Sequence, residues 1–129
     1  MGYFILTNNV QVLEEFGSTH EVCFVDGSLN DVLLRARDLI NEGSVLLVHP
    51  LYGSVKPNET PYRSLLISKP ACTSDVAAAD PESVRLIGNA ITTCRKFIDK
   101  KKITDPKLLQ DFQVVDLSLL KSAVASADQ

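Results

Sequence analysis

The sequence contains no tryptophan, one methionine, two histidines and three cysteines. The cysteines, Cys23, Cys72 and Cys94, are odd in number and far apart. A disulfide framework is therefore excluded, and no C-x-x-C redox motif exists. Two histidines without metal-ligand spacing give no basis for a zinc centre, and no cofactor or metal is expected. No apolar run approaches the roughly 18–20 residues that a membrane helix needs. The opening MGYFILTNN reads as too short and too uncharged for a secretion signal. Thirteen Lys and Arg stand against sixteen Asp and Glu, a net charge of −3. That balance offers no basic field for nucleic acid or an anionic membrane. Neither phosphate-cradling glycine pattern occurs, and Ser54 lies in G-S-V and not in a G-x-S-x-G elbow. What these absences leave is a cytoplasmic globular protein.

The chain has 129 residues, 45% of them hydrophobic and 22% charged. At this length roughly 65–70% of the unfolded surface can be buried without metal or disulfide. A single domain over residues 1–129 is expected, its last few residues frayed. Cys23 and Cys94 lie in apolar patterns and read as small core residues, while Cys72 sits in a loop-like stretch.

Hydrophobic patterning sets the expected elements. Tyr3–Thr7 is a continuous apolar run suited to a strand buried on both faces. Val10, Val12, Leu13 and Phe16 follow at helical spacing. Glu21–Val25 is a second strand, turned by Asp26-Gly27. Ser28 is an N-cap, with Asp31 completing a capping box. Leu29, Val32, Leu33, Ala36, Leu39 and Ile40 form one helical stripe that stops at Gly43. Ser44–His49 is a third strand closed by Pro50, and Arg63–Ser68 a fourth. Residues 69–79 read as a linker. Asp80-Pro81 and Asp105-Pro106 each start a helix, the first of which ends in the basic run Lys100–Lys102. Phe112–Asp116 fits either a short strand or part of a helix. The expectation is an α/β domain, a small layered fold with a mainly parallel four- or five-stranded sheet and helices on both faces.

Open α/β sheets bind ligands beyond the carboxyl ends of their strands. Two strands here end in polar clusters, Thr7-Asn8-Asn9 and His49-Pro50. If those strands are neighbours, both clusters open onto one crevice. The loop from Leu51 to Tyr62 adds Ser54, Lys56, Asn58, Thr60 and Tyr62, on a path stiffened by Pro57 and Pro61. Hydroxyls, amides, an imidazole and one ammonium suit a carboxylate or phosphate better than a cation. The expected ligand-binding set is Thr7, Asn8, Asn9, Ser54, Lys56, Asn58, Thr60 and Tyr62. His49 is the candidate acid–base group, since imidazole titrates near neutrality. Each also has a plain structural role open to it: Asn in turn hydrogen bonding, His49 on loop carbonyls, Tyr62 over the core.

Three blocks carry a resemblance. They are Thr7-Asn8-Asn9, the run His49-Pro50-Leu51 through Gly53-Ser54-Val55-Lys56-Pro57-Asn58-Glu59-Thr60-Pro61-Tyr62, and Asp111-Phe112-Gln113 with Asp116-Leu117-Ser118. Together the chain resembles the GrdX family, small proteins encoded beside the glycine, sarcosine and betaine reductase components. Where that family often carries proline after the two asparagines, this chain has Val10. The resemblance implies a pathway context and an accessory, regulatory or assembly role. It implies no catalytic residues. The partners it implies are glycine or betaine reductase components, and self-association into a homo-oligomer is also compatible. Three readings follow: an accessory protein binding a small anionic metabolite at the strand ends, a small hydrolase or transferase using His49, and a ligand-free scaffold for the reductase complex.

Overall fold

The computed structural model describes residues 2–51, 60–69, 79–96 and 103–129. The elements run β1 (Tyr3–Thr7), α1 (Val10–Phe16), β2 (Val22–Phe24), α2 (Leu29–Asn41), β3 (Ser64–Ser68), α3 (Pro81–Arg95) and α4 (Pro106–Ala127). Among the described residues the sheet has three strands in the order β2-β1-β3. β1 pairs in parallel with β2 and antiparallel with β3, Thr7 lying opposite Ser64.

The expected α/β layering is present, but a mainly parallel sheet of four or five strands is not. β3 reverses direction against β1. The Ser44–His49 run makes only an isolated bridge, Leu46 to Ile67, among the described residues. Leu47 N–H donates to the Leu66 carbonyl at 2.9 Å and the Val45 carbonyl accepts from Ser68 N–H at 2.9 Å, but two of its amides go to side chains: Val45 N–H donates to Ser68 Oγ at 2.7 Å and Leu46 N–H to Ser83 Oγ at 2.9 Å. Ser83 is buried on α3, so the Leu46 N–H is satisfied by a helix side chain and not by a further strand. Phe112–Asp116 is helical, inside the 22 residues of α4. Asp105 caps that helix and Pro106 starts it, as Asp80 and Pro81 do for α3. The Ser28–Asp31 capping box on α2 is complete.

Alternation along β1 and β3 divides the core. Phe4, Leu6, Leu65 and Ile67 pack against α2 and α3, with Cys23 and Cys94 half-buried at the margin. Ile5 and Leu66 face the other way, against Val12 and Phe16 of α1 and Leu120 and Val124 of α4. Burial of these side chains is the main force fixing α4 to the sheet, at about 1.5–3 kcal/mol for each large apolar group. At its far end α4 is clasped by Asp128, which accepts from Tyr3 Oη at 2.5 Å and bonds His20 Nε2 at 3.2 Å. No helix of the described residues is long and apolar enough to cross a membrane.

Candidate functional site

The carboxyl end of β1 is where polar side chains become buried. Thr7, Asn9 and Ser64 have no exposed surface, and Asp116 only 4%. Thr7 and Ser64 are cross-strand partners on the face that α1 and α4 cover. Asp116 reaches them from α4, one turn before Leu120 and two before Val124, so it rides on the buried stripe of the helix.

Donor and acceptor bookkeeping gives this cluster a direction. An ionised Asp116 can only accept, so Ser64 Oγ–H donates to its Oδ2 at 2.7 Å. Ser64 Oγ then accepts from Thr7 Oγ1–H at 2.7 Å. Thr7 Oγ1 in turn accepts the backbone N–H of Asn9 at 3.0 Å. Asn9 closes the ring, its Nδ2 donating to Asp116 Oδ2 at 3.0 Å and to the Gln113 carbonyl at 2.9 Å. Its Oδ1 caps α1 by accepting from Gln11 N–H. Asn9 thus joins strand, helix start and α4 in one side chain.

Asn8 does similar work on the other side. Its Nδ2 donates to the carbonyls of Gly27 and Pro61, and its Oδ1 accepts from Arg63 N–H. It pins the β2–α2 turn, the end of the long loop and the start of β3 together. Further out, Gln113 Nε2 donates to Tyr62 Oη at 2.9 Å, and Gln11 Nε2 to Gln113 Oε1 at 3.1 Å. Tyr62 N–H donates to Thr60 Oγ1.

Burial pushes the Asp116 carboxyl above its ordinary range. The bonds from Ser64 and Asn9 and the positive charge of Arg63 act against that shift. Arg63 is itself 1% exposed. Arg63 and Asp116 line one small hollow with Thr60, Tyr62, Val115 and Leu119. It offers about 10 Å³, close to what one water requires. A larger cleft of about 440 Å³ runs between α1 and α4. Its lining carries Glu14 and Glu15 and no basic side chain, a poor setting for an anion.

The expected site residues therefore separate. Thr7, Asn8, Asn9, Thr60 and Tyr62 meet at one end of the sheet. Thr7, Asn8 and Asn9 are occupied with internal bonds and form the frame of the hollow, whereas Thr60 and Tyr62 line it. His49 stands apart. Its segment runs antiparallel to β3, hence parallel to β1, but β3 lies between them. The two clusters share one end of the sheet but are two strand spacings apart, about 10 Å. The expectation that those strands are neighbours fails for that reason. His49 is exposed, and its Nδ1 accepts the N–H of Leu51 at 3.1 Å within its own turn. Ser54, Lys56 and Asn58 lie outside the described residues, as do Cys72 and Lys100–Lys102. Sequence reasoning missed Arg63, read as the first residue of a strand, and Asp116. The available signal was spacing: Asp116 falls four residues before Leu120 and eight before Val124, an acid in an apolar stripe.

The model of one protein family, GrdX-like protein, matches residues 4–125. The chain belongs to the GrdX-like family. No curated protein and no solved structure matches it. The match spans both the Thr7–Asn9 frame and Asp116, so the whole buried ring lies inside the family region. GrdX-like membership fits association with the glycine reductase system.

Proposed function

We propose that this GrdX-like chain is a cytoplasmic accessory protein of the glycine reductase system that binds a small carboxylate or phosphate group at the strand-end hollow. The observation that carries the reading is Arg63, a cationic residue only 1% exposed at the sheet end, which lines one hollow with Thr60 and Tyr62. A planar guanidinium fork matches an oxyanion, and side-chain hydroxyls supply further donors. The ring of Thr7, Ser64, Asp116 and Asn9 fixes the walls before any ligand arrives, which lowers the ordering cost of binding. The α1–α4 cleft is larger but acidic, so charge favours the smaller site. Reductase components are the macromolecular partners this reading names.

Thermal-shift titration tests it. Acetate, glycine and phosphate are added to the wild type and to Arg63→Lys, which keeps the charge and loses the fork. At least one of the three should raise the wild-type midpoint and raise that of Arg63→Lys by less. A midpoint unmoved by all of them contradicts the reading.

A further inference from the structure

Among the described residues β2 ends the sheet, and its outer edge carries backbone groups without a partner. Ile5 N–H donates to the Glu21 carbonyl at 2.9 Å, and Val25 N–H to the Thr7 carbonyl at 2.7 Å. With Ile5 opposite Val22 and Thr7 opposite Phe24, the residues of this segment turned toward β1 are Glu21, Cys23 and Val25. Val22 and Phe24 therefore aim both N–H and C=O outward. Such an edge is a template for another strand unless proline, lysine or a bulge blunts it, and Val22-Cys23-Phe24 has neither charge nor proline. The rim beside the edge is apolar. On α1, Val12 and Phe16 face the sheet, while Gln11 and Glu15 line the cleft toward α4. The helical period then puts Leu13, with Val10 one turn before it, on the flank turned away from α4, where α1 meets β2. Leu13 is 38% exposed, Val10 47% and Phe24 36%.

We propose that β2 pairs antiparallel with β2 of a second copy of this chain, across a two-fold axis at Cys23. The edge is complementary to itself in that arrangement. Val22 exchanges both backbone bonds with Phe24 of the second copy, and Phe24 does the same with its Val22. A β-branched side chain then lies opposite an aromatic one, a favourable cross-strand pair. Cys23 meets Cys23 of the second copy as a non-hydrogen-bonded pair, Cα atoms about 4.5 Å apart. Continued past the strand, the register sets Glu21 opposite Val25 and Asp26 opposite His20, so no like charges oppose each other. The helices fit as well. Val12 and Phe16 pack on Ile5 with Val22 at the margin, so α1 lies over the boundary of β1 and β2. Across the new pair the two α1 helices stand two strand spacings apart, about 10 Å, within the roughly 8–10 Å of packed helices. Leu13 and Val10 of both copies close that gap. Three strand residues and these part-exposed side chains fall short of the roughly 800 Å² a side of a stable interface. The dimer is therefore weak and reversible.

Sedimentation velocity of the full chain over a concentration series tests it. A monomer–dimer equilibrium with a dissociation constant between about 10 μM and about 1 mM is expected. Phe24→Pro deletes an outward donor that no native bond uses, a change an edge strand tolerates. It should weaken the dimer about tenfold or more while far-UV circular dichroism stays that of the wild type. Should that variant not fold, Phe24→Lys, which blunts the edge with a charge, takes its place with the same expected loss. Diamide oxidation of the concentrated wild type, followed by mass-spectrometric mapping, should find a Cys23–Cys23 linked dimer, since the Cα separation suits a disulfide. A chain that stays monomeric up to about 1 mM overturns the proposal. So does a dimer that the folded Phe24 variant forms equally well, or one in which Cys23 is not linked to Cys23.

Discussion

Replacing Asn9 by alanine removes the side chain that ties three elements together, and its cost can be worked from the bonds lost. The N-cap of α1 accounts for about 1 kcal/mol. The bond from Nδ2 to Asp116 Oδ2 goes to a buried carboxylate, and bonds to charged groups contribute about 1.5–3 kcal/mol. The Gln113 carbonyl keeps its place within α4, so its loss of a second donor adds little. The sum is about 2.5–4 kcal/mol, a large part of the roughly 5–15 kcal/mol that holds a domain folded. Urea unfolding of the wild type and Asn9→Ala measures it directly. The penalty also has a pH signature. Without the amide donor, the Asp116 carboxyl titrates higher still, so the charge-dependent part of the penalty fades as pH falls and Asp116 is protonated in both proteins. A loss below about 1 kcal/mol, or one equal at neutral and acid pH, would refute the view that this ring is the structural frame of the site.

Three other outcomes follow from single groups. Asp116→Asn keeps the shape and removes the buried charge: because the native carboxyl binds its proton more tightly than the unfolded one, wild-type stability falls as pH rises from about 4 toward the raised native value, and the difference curve against the variant should carry that slope and not its reverse. Tyr3, partly desolvated and donating its hydroxyl to Asp128, has its pKa pushed up to about 12; near-UV absorbance titration against a Tyr3→Phe reference should find it there, and Asp128→Asn should bring it down. Gly88 is exposed on α3 and a Cβ placed on it meets nothing within 4 Å, so Gly88→Ala should stabilise by about 0.8–1 kcal/mol in chemical unfolding.

Elements governed by local chemistry were legible in the sequence. The caps at Ser28, Asp80 and Asp105 state their helices in a few residues, and the α2 stripe states its buried face. Strand pairing was not legible, because it depends on where a partner stops. Ser44–His49 has the composition of a buried strand, yet hydroxyls of Ser68 and Ser83 take the amides of Val45 and Leu46, and residues 23 and 37 positions downstream cannot be foreseen as those acceptors. Phe112–Asp116 alternates like a strand over five residues, whereas the 22-residue helix is only apparent when Asp116 is read with Leu120 and Val124. At the site, Thr7, Asn8 and Asn9 were recognised as a cluster, but as ligand groups. Their buried bonds to α4 and β3 make them the frame. Arg63 escaped notice since a cation opening a strand is ordinarily at the surface, and only its burial gives it meaning.

The proposed function requires a carboxylate or phosphate group to seat at the hollow between the start of β3 and α4. Amide chemical-shift mapping by NMR during a glycine titration addresses it most directly. Saturable shifts centred on Thr60, Tyr62, Arg63, Val115 and Asp116 are expected, with the Leu51 amide beside His49 unchanged. Saturable shifts centred on the His49 turn or the α1–α4 cleft, or no saturable shift, would contradict it.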